Sequence, residues 1–493
     1  MSSSESKIIS TTQLSAFDCA LAGLPLNYAF FFNNPVDPNQ LQLALQKTCT
    51  HIPQISSVYQ MDNSKIPRLV LRNQSPMNFN LDVATIDDAK KEDHIYSLGL
   101  PTNGIMDMKE EAEVLSYFTI IKTVPPPKLS LDTPVTACKL LILKSTGRAL
   151  FCTSISHGVV DAHSYRMFIT LVERYYAGET NITDFSHNVD RTRLVQATKA
   201  FHTREHDSDQ LKKVGIYHPV DMKQFAAMAQ PGNTHCVTAF NKKRLNEVKA
   251  EIIKATFTQL RISAHDILCA VFWKLRAIYG FNKDDAEKSL ADVCPLMFVL
   301  DHRKFHGGKD YFGNAVNSVV QEKSRKFVLG ASIGSLAIAT RKTLMSMSMD
   351  DIQVMIDQSE KGWKDTGVYA ITTRSYDFIH GCNFDDWRAL ALPTLAKGKD
   401  FIDLKFRADR FMMPAGPMIA PGMCFLKMDN SRTAAKGDLL VQYGINIKII
   451  DKVNKALATS TKSGIENLGL MEDGMFGKLA KEFGLDSNCT GFF

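Results

Sequence analysis

No run of about 18 apolar residues occurs anywhere in the chain, which argues against a membrane-spanning helix. The opening residues, MSSSESKIIS, lack the charged and apolar regions of a secretory leader, and the closing SNCTGFF matches no common retention or lipidation address. No C-x-x-C pair occurs either. The 10 cysteines are scattered, from Cys19 to Cys489, as expected of reduced, mostly buried thiols in a cytoplasmic protein. The glycosylation-like triplets at Asn181 and Asn488 carry no weight without an export signal. Charge of one sign is also scarce. Lys+Arg 58 against Asp+Glu 52 leaves +6, far from the dense basic stripe of a nucleic-acid binder, although a few local cations suffice for a small anionic ligand.

The familiar catalytic signatures are missing as well. There is no phosphate-cradling G-x-x-x-x-G-K-[ST], since Gly307-Gly308-Lys309 lacks the upstream glycine. G-x-G-x-x-G, H-E-x-x-H and G-x-S-x-G are also absent. His202/His206 and His302/His306 have the i, i+4 spacing of a helical pair, but no third ligand accompanies them, so no metal site is expected.

What is present suits a large soluble protein: 45% hydrophobic and 22% charged over 493 residues, enough for two or three domains. Helical spacing covers Pro38 to about Thr50, with Pro38 suited to a first turn. Strand-length apolar runs cover Thr136–Leu143 and Ala149–Ser156. A helical period then runs from Ala162 to Ala177, and Gly178 supplies its stop. Residues from about Thr180 to Asn233 are polar and weakly periodic, the best candidate for a linker. Helices are predicted at Lys243 to about Leu260, Ser263–Tyr279 and roughly Ser335–Gln358. Strands are predicted at Asp292–Leu300, Val316–Val320 and Leu439–Ile450.

Between the second strand and the helix at Ala162 lies His157-Gly158-Val159-Val160-Asp161. A histidine on such a loop is available as a general base, because its unperturbed pKa lies near ~6.5. Taken alone the pattern is weak, and two plainer roles fit these residues better: Asp161 as the N-cap of the following helix, and His157 as a hydrogen-bonded strand end.

Other segments flank this loop in order. Leu14-Ser-Ala-Phe-Asp18 precedes an apolar strand, YAFFF (28–32). Ser263-Ala-His-Asp-Ile-Leu-Cys-Ala-Val-Phe-Trp273 opens a helix, and Asp301-His-Arg303 is followed by Tyr311-Phe-Gly-Asn314. With His157–Asp161 between them, these segments resemble the BAHD superfamily of acyl-CoA-dependent acyltransferases, from about residue 14 to residue 447. The resemblance implies an α/β fold of two similar chloramphenicol-acetyltransferase-like domains, each a mixed sheet with flanking helices. They are expected at 1–190 and 236–493, joined by a crossover linker at 191–235.

It further implies a channel between the domains, with His157 midway, taking a proton from the hydroxyl or amine of a small acceptor that attacks an acyl-CoA thioester. No covalent acyl-enzyme, resident cofactor or metal is implied; acyl-CoA is a co-substrate, and the protein is expected to be a cytoplasmic monomer of specialised metabolism. Asp161 would turn from the substrate and pair with Arg303 to shape the loop, since losing one partner of a buried pair costs ~3–5 kcal/mol.

Two departures mark a divergent member. Ala162 stands where the first motif usually ends in glycine. The D-F-G-W-G signature is absent, its best counterpart being Asp400-Phe401. Trp387 matches a family Thr-Ser-Trp, with Asp385 replacing the threonine often credited with helping the oxyanion, a role an ionised carboxylate cannot fill. Trp387, Asp385 and Asn314 are the candidates for the channel or oxyanion region. The methionine-rich Phe411–Met428 is a candidate pocket lining or ordinary core. Two rival readings keep the fold: a carrier-protein-dependent condensation domain, which usually has a second histidine where Ser156 stands, and a non-catalytic binder.

Overall fold

The computed structural model describes residues 10–22, 25–32, 35–62, 68–97, 134–187, 211, 214, 233–240, 242–279, 293–306, 308–366, 382–386, 406–407, 412–413, 416–417, 423–428 and 439–446. The first half holds strands β1 (Ser10–Gln13), β2 (Pro25–Phe32), β3 (Ser57–Asp62), β4 (Arg68–Asn73), β5 (Leu81–Ile86), β6 (Thr136–Leu143) and β7 (Arg148–Ser156). Its helices are α1 (Ala16–Leu21), α2 (Pro38–His51), α3 (Ala89–Ser97) and α4 (Ala162–Tyr176). The second half contributes β8 (Asn233–Phe240), β9 (Val293–Asp301), β10 (Val316–Ser324), β11 (Cys382–Asp386), β12 (Phe406–Arg407), β13 (Met412–Met413), β14 (Gly416–Pro417), β15 (Met423–Met428) and β16 (Leu439–Asn446). Its helices are α5 (Lys242–Thr256), α6 (Ala264–Tyr279), α7 (Arg303–His306), α8 (Arg325–Gly330), α9 (Ile333–Ser346) and α10 (Met349–Thr366).

Two mixed sheets organise these elements. The first runs β12-β2-β7-β6-β5, with β5 parallel to β6 and the other pairs antiparallel. The second runs β10-β9-β11-β15-β16-β8, with β11 parallel to both neighbours. Phe406–Arg407 therefore crosses over to pair with β2 in the sheet of the first half. β7 lies inside its sheet and is buried along nearly its whole length, as a strand covered on both faces must be. The buried stripe of α4 (Tyr165, Phe168, Leu171, Val172) packs the helix against α2 and the first core. α6 is buried almost all round, Trp273 included, and forms the axis of the second core.

Most predicted elements form where the apolar period places them, with three differences. The stretch expected as one helix from 335 to 358 is two, α9 and α10. Between them Ser348 accepts from the backbone N–H of Asp351, and Asp351 accepts from the backbone and hydroxyl of Ser348, a reciprocal cap that starts a new helix. α5 stops at Thr256 because Phe257 adopts φ +49°, a left-handed conformation costly for a side chain of this size. β8 begins inside the stretch assigned to the linker, most of which, like the boundary near 190, lies outside the described residues.

One buried charge in α6 makes a testable feature of the core. Lys274 is 2% exposed, donates from Nζ to the carbonyl of Ala331, and is driven by burial to a pKa of about 7. The unfolded chain keeps this proton up to pH ~10.4, whereas the folded protein releases it near 7, so stability rises with pH across that window. Thermal unfolding between pH 7 and pH 10 should show this rise in the wild type, and Lys274→Met should flatten it.

Candidate active site

The tight turn after β7, the central strand of its sheet, begins with His157 and ends at Asp161, the N-cap of α4, which accepts from the Ser164 backbone N–H at 2.9 Å. Capping is only part of what Asp161 does. Both guanidinium ends of Arg303 reach its carboxylate at 2.8 Å, and the Ala315 backbone N–H adds a bond at 3.0 Å. Burial alone would raise the Asp161 pKa, but the Arg303 guanidinium and these hydrogen bonds hold it at about 2. The arginine is itself saturated, donating also to the carbonyls of Tyr311 and Gly313, the hydroxyl of Ser164 and the carboxylate of Asp301. Paired bidentately and fully hydrogen-bonded, this ion pair meets the conditions under which buried charges are tolerated.

The Tyr311–Asn314 segment closes over the same network. Gly313 sits at φ +153°, a backbone setting that favours glycine, and it exchanges hydrogen bonds with the Ser164 hydroxyl. Asn314, fully buried, donates its side-chain amide to the carbonyl of His157 and to Asp18. Its backbone N–H also bonds Asp18, at 3.0 Å. Asp18 in turn caps α1 through Ser15. Asn314 thus stands behind His157, while the side chains of the other two channel candidates cannot be placed: Asp385 is described only as a backbone position in β11, paired with Phe425, and Trp387 lies outside the described residues. Asp400-Phe401 also lies outside, and Phe411–Met428 is described only in part, as backbone in β13, β14 and β15.

His157 is half-buried, and its Nδ1 is a buried atom. Burial holds the imidazole below its ordinary pKa, opposed by hydrogen bonding to its own backbone, the charge of Asp161, the Asn314 side chain and the Val160 backbone. A neutral imidazole at pH 7 is the state a base requires. Behind the turn, the Tyr59 hydroxyl meets that of Ser156, which also accepts from the Gly158 N–H at 3.4 Å. Gly158 has no room for a side chain: a Cβ would lie 2.8 Å from the Cα of Ala22 and 2.9 Å from the carbonyl of Asp18.

A cleft of about 1130 Å³ opens beside the start of α4, lined there by Ala162, His163 and Arg166. Its wall also carries Lys242, Lys249, Arg261 and Arg341 of the second half, with the acids Asp301 and Asp386. Arg341 is anchored to Asp266 and Ser263 at the head of α6. Reading the sequence did not single out this wall, because its cations come from α4, α5, α9 and a loop and share no motif.

Two mixed sheets joined through a buried His-x-x-x-Asp turn define the chloramphenicol-acetyltransferase-like class of fold. The comparisons agree. The model of the Transferase family matches residues 106–391, more than half of the chain, and the chain belongs to this family, the BAHD acyltransferases. Among solved structures, TRI101 of F. sporotrichioides, complexed with coenzyme A and T-2, superposes with a TM-score of 0.66 at 14% identity, covering 92% of this chain and 98% of that one. Vinorine synthase gives 0.57 at 14%, covering 91% and 93%. The first condensation domain of the CDA synthetase gives 0.54 at 12%, covering 93% and 98%. No curated sequence matches.

Removing the Asp161 charge should destabilise the protein, because Arg303 would stay buried without its counter-charge. Asp161→Asn is expected to cost about 3 kcal/mol or more in denaturant unfolding. The stabilisation from Asp161 is present above its unfolded pKa of ~3.9 and lost as pH falls towards about 2. The acid-unfolding curve of the variant should therefore be shallower in that window.

Proposed function

We propose that this protein transfers an acyl group from an acyl-CoA to the hydroxyl or amine of a small molecule, with His157 as general base. The observation that carries this reading is the half-buried imidazole, held below its ordinary pKa, on a turn that opens one residue past Asp161 into a cation-walled cleft. The acceptor X–H gives its proton to the imidazole as X bonds the thioester carbonyl carbon. The tetrahedral intermediate then collapses, the C–S bond breaks, and the thiolate leaves with the proton of the imidazolium. Ester or amide and free coenzyme A result, and the neutral histidine is restored without an acyl-enzyme. General-base help of this kind contributes ~10²–10⁴-fold, and positioning the two substrates adds to it. Asp161 and Arg303 touch neither substrate in this scheme; they fix the turn.

The cleft suits the donor. Lys242, Lys249, Arg261 and Arg166 set a positive wall against the phosphates of coenzyme A, leaving the thioester to reach towards His157. The carrier-protein reading has less support, since Ser156 stands where a second histidine would be and its hydroxyl is engaged by Tyr59. We place the enzyme in the cytoplasm as a monomer, with the two acyltransferase domains at 1–190 and 236–493.

Release of free thiol from acyl-CoAs, screened against alcohol and amine panels, tests the reading. His157→Ala should lower kcat by 10²-fold or more. The rising limb of the wild-type kcat/KM profile should have its midpoint below pH ~6.5, the ordinary histidine value, because burial depresses the base. Lys249→Glu with Arg261→Glu should raise KM for acyl-CoA about tenfold while leaving that for an acyl-pantetheine, which lacks the nucleotide phosphates, nearly unchanged. Equal effects on both donors would remove the phosphate role from this wall.

A further inference from the structure

The Asn314 amide has a fixed orientation. Its two neighbours at Nδ2 are acceptors, the Asp18 carboxylate and the carbonyl of His157, so the nitrogen and not the oxygen must face them. The carboxylate is what settles this: Asp18 is fully buried, and its Oδ1 takes both N–H groups of Asn314, backbone and side chain. With Nδ2 so committed, Oδ1 of Asn314 is left as a buried acceptor that makes no hydrogen bond among the described residues. Nδ1 of His157, also buried, is likewise without a well-formed partner there. After the backbone of His157 itself and the charge of Asp161, the Asn314 side chain also interacts with the imidazole in the sense that favours its protonated form. An amide does that through its oxygen, never through its NH₂.

We propose that Asp18 and Asn314 are positioning residues for His157: Asp18 locks the amide of Asn314, which holds the His157 carbonyl with Nδ2 and presents Oδ1 to the buried side of the ring. Nδ1 then carries the proton, and Nε2 is the nitrogen offered as base. When Nε2 takes the acceptor's proton, the imidazolium has an acceptor ready on its buried side. An aspartate from the first 20 residues would thus act on the motif histidine through an asparagine 296 residues further on. The idea goes past the roles of Asp161 and Arg303, which brace the far end of the turn, and it rests on the reading of His157 as general base.

The test is Asp18→Asn, a near-isosteric change that leaves two amides face to face and frees Asn314 to turn over. Side-chain ¹⁵N shifts of selectively labelled histidine report which ring nitrogen is protonated, in a measurement that needs no substrate. The wild type should show the Nδ1–H form of His157. In Asp18→Asn the two forms should mix, and kcat should fall 10- to 100-fold, with KM for acyl-CoA within about twofold. Because loss of the α1 cap lowers stability, Asn314→Ala serves as a second variant that keeps Asp18 and Ser15. It should show the same mixing and the same loss confined to kcat. A folded variant with wild-type tautomer and wild-type kcat would overturn the proposal. Tautomer mixing in a protein that turns over no acyl-CoA would sustain the positioning role while refuting the acyltransferase reading.

Discussion

The contact on which the site depends is the buried ion pair between Asp161 and Arg303. It joins a residue that caps α4 in the first half to one that follows β9 in the second. Around it the chain satisfies every obligation a buried charge creates. The carboxylate takes two backbone N–H groups besides the guanidinium, and the guanidinium takes two carbonyls, a hydroxyl and a second carboxylate. Such a pair adds little net stability over well-packed apolar residues, but it permits one arrangement only. Here the arrangement sets the two halves against each other at the turn that carries His157.

The rest of the site follows from that registration. Gly158 lets the turn press against the backbone of Ala22 and Asp18, and Gly313 lets the Tyr311–Asn314 segment fold back over Ser164. The cores interlock in the same region: Phe17 belongs to the second core, packed on His302, while Met297, Phe312 and Val320 belong to the first. These contacts fix the backbone of the turn, which suits the general base proposed for His157. The cleft that begins at Ala162 is lined by cations and not by His157, so in the proposed reaction donor binding and proton transfer fall to different elements.

How much of this is written locally in the sequence varies by element. β6, β7 and α4 are legible because their apolar periods are strong and Gly178 ends the helix. The break at Ser348 was equally readable as Ser348-Met-Asp-Asp351, a capping box, but the continuous methionine-rich apolar pattern masked it. The position of Arg303 opposite Asp161 entered through family resemblance and not through spacing. The link from Asp18 through Asn314 to His157 is illegible from the chain alone, because contacts across such separations leave no local periodicity. The cleft wall was missed for the same reason: four elements each supply one or two cations that gather only on folding.

The most direct test of the central claim is thermal unfolding with coenzyme A and a panel of acyl-CoAs, on the wild type and His157→Ala. A ligand at ~100 times its Kd stabilises a folded protein by ~2.7 kcal/mol, enough to see as a shift in Tm. The account predicts that coenzyme A raises Tm in both proteins, since its phosphates meet the cleft wall and not His157, and that one acyl-CoA raises it further. No shift in either protein with any member of the panel would contradict it.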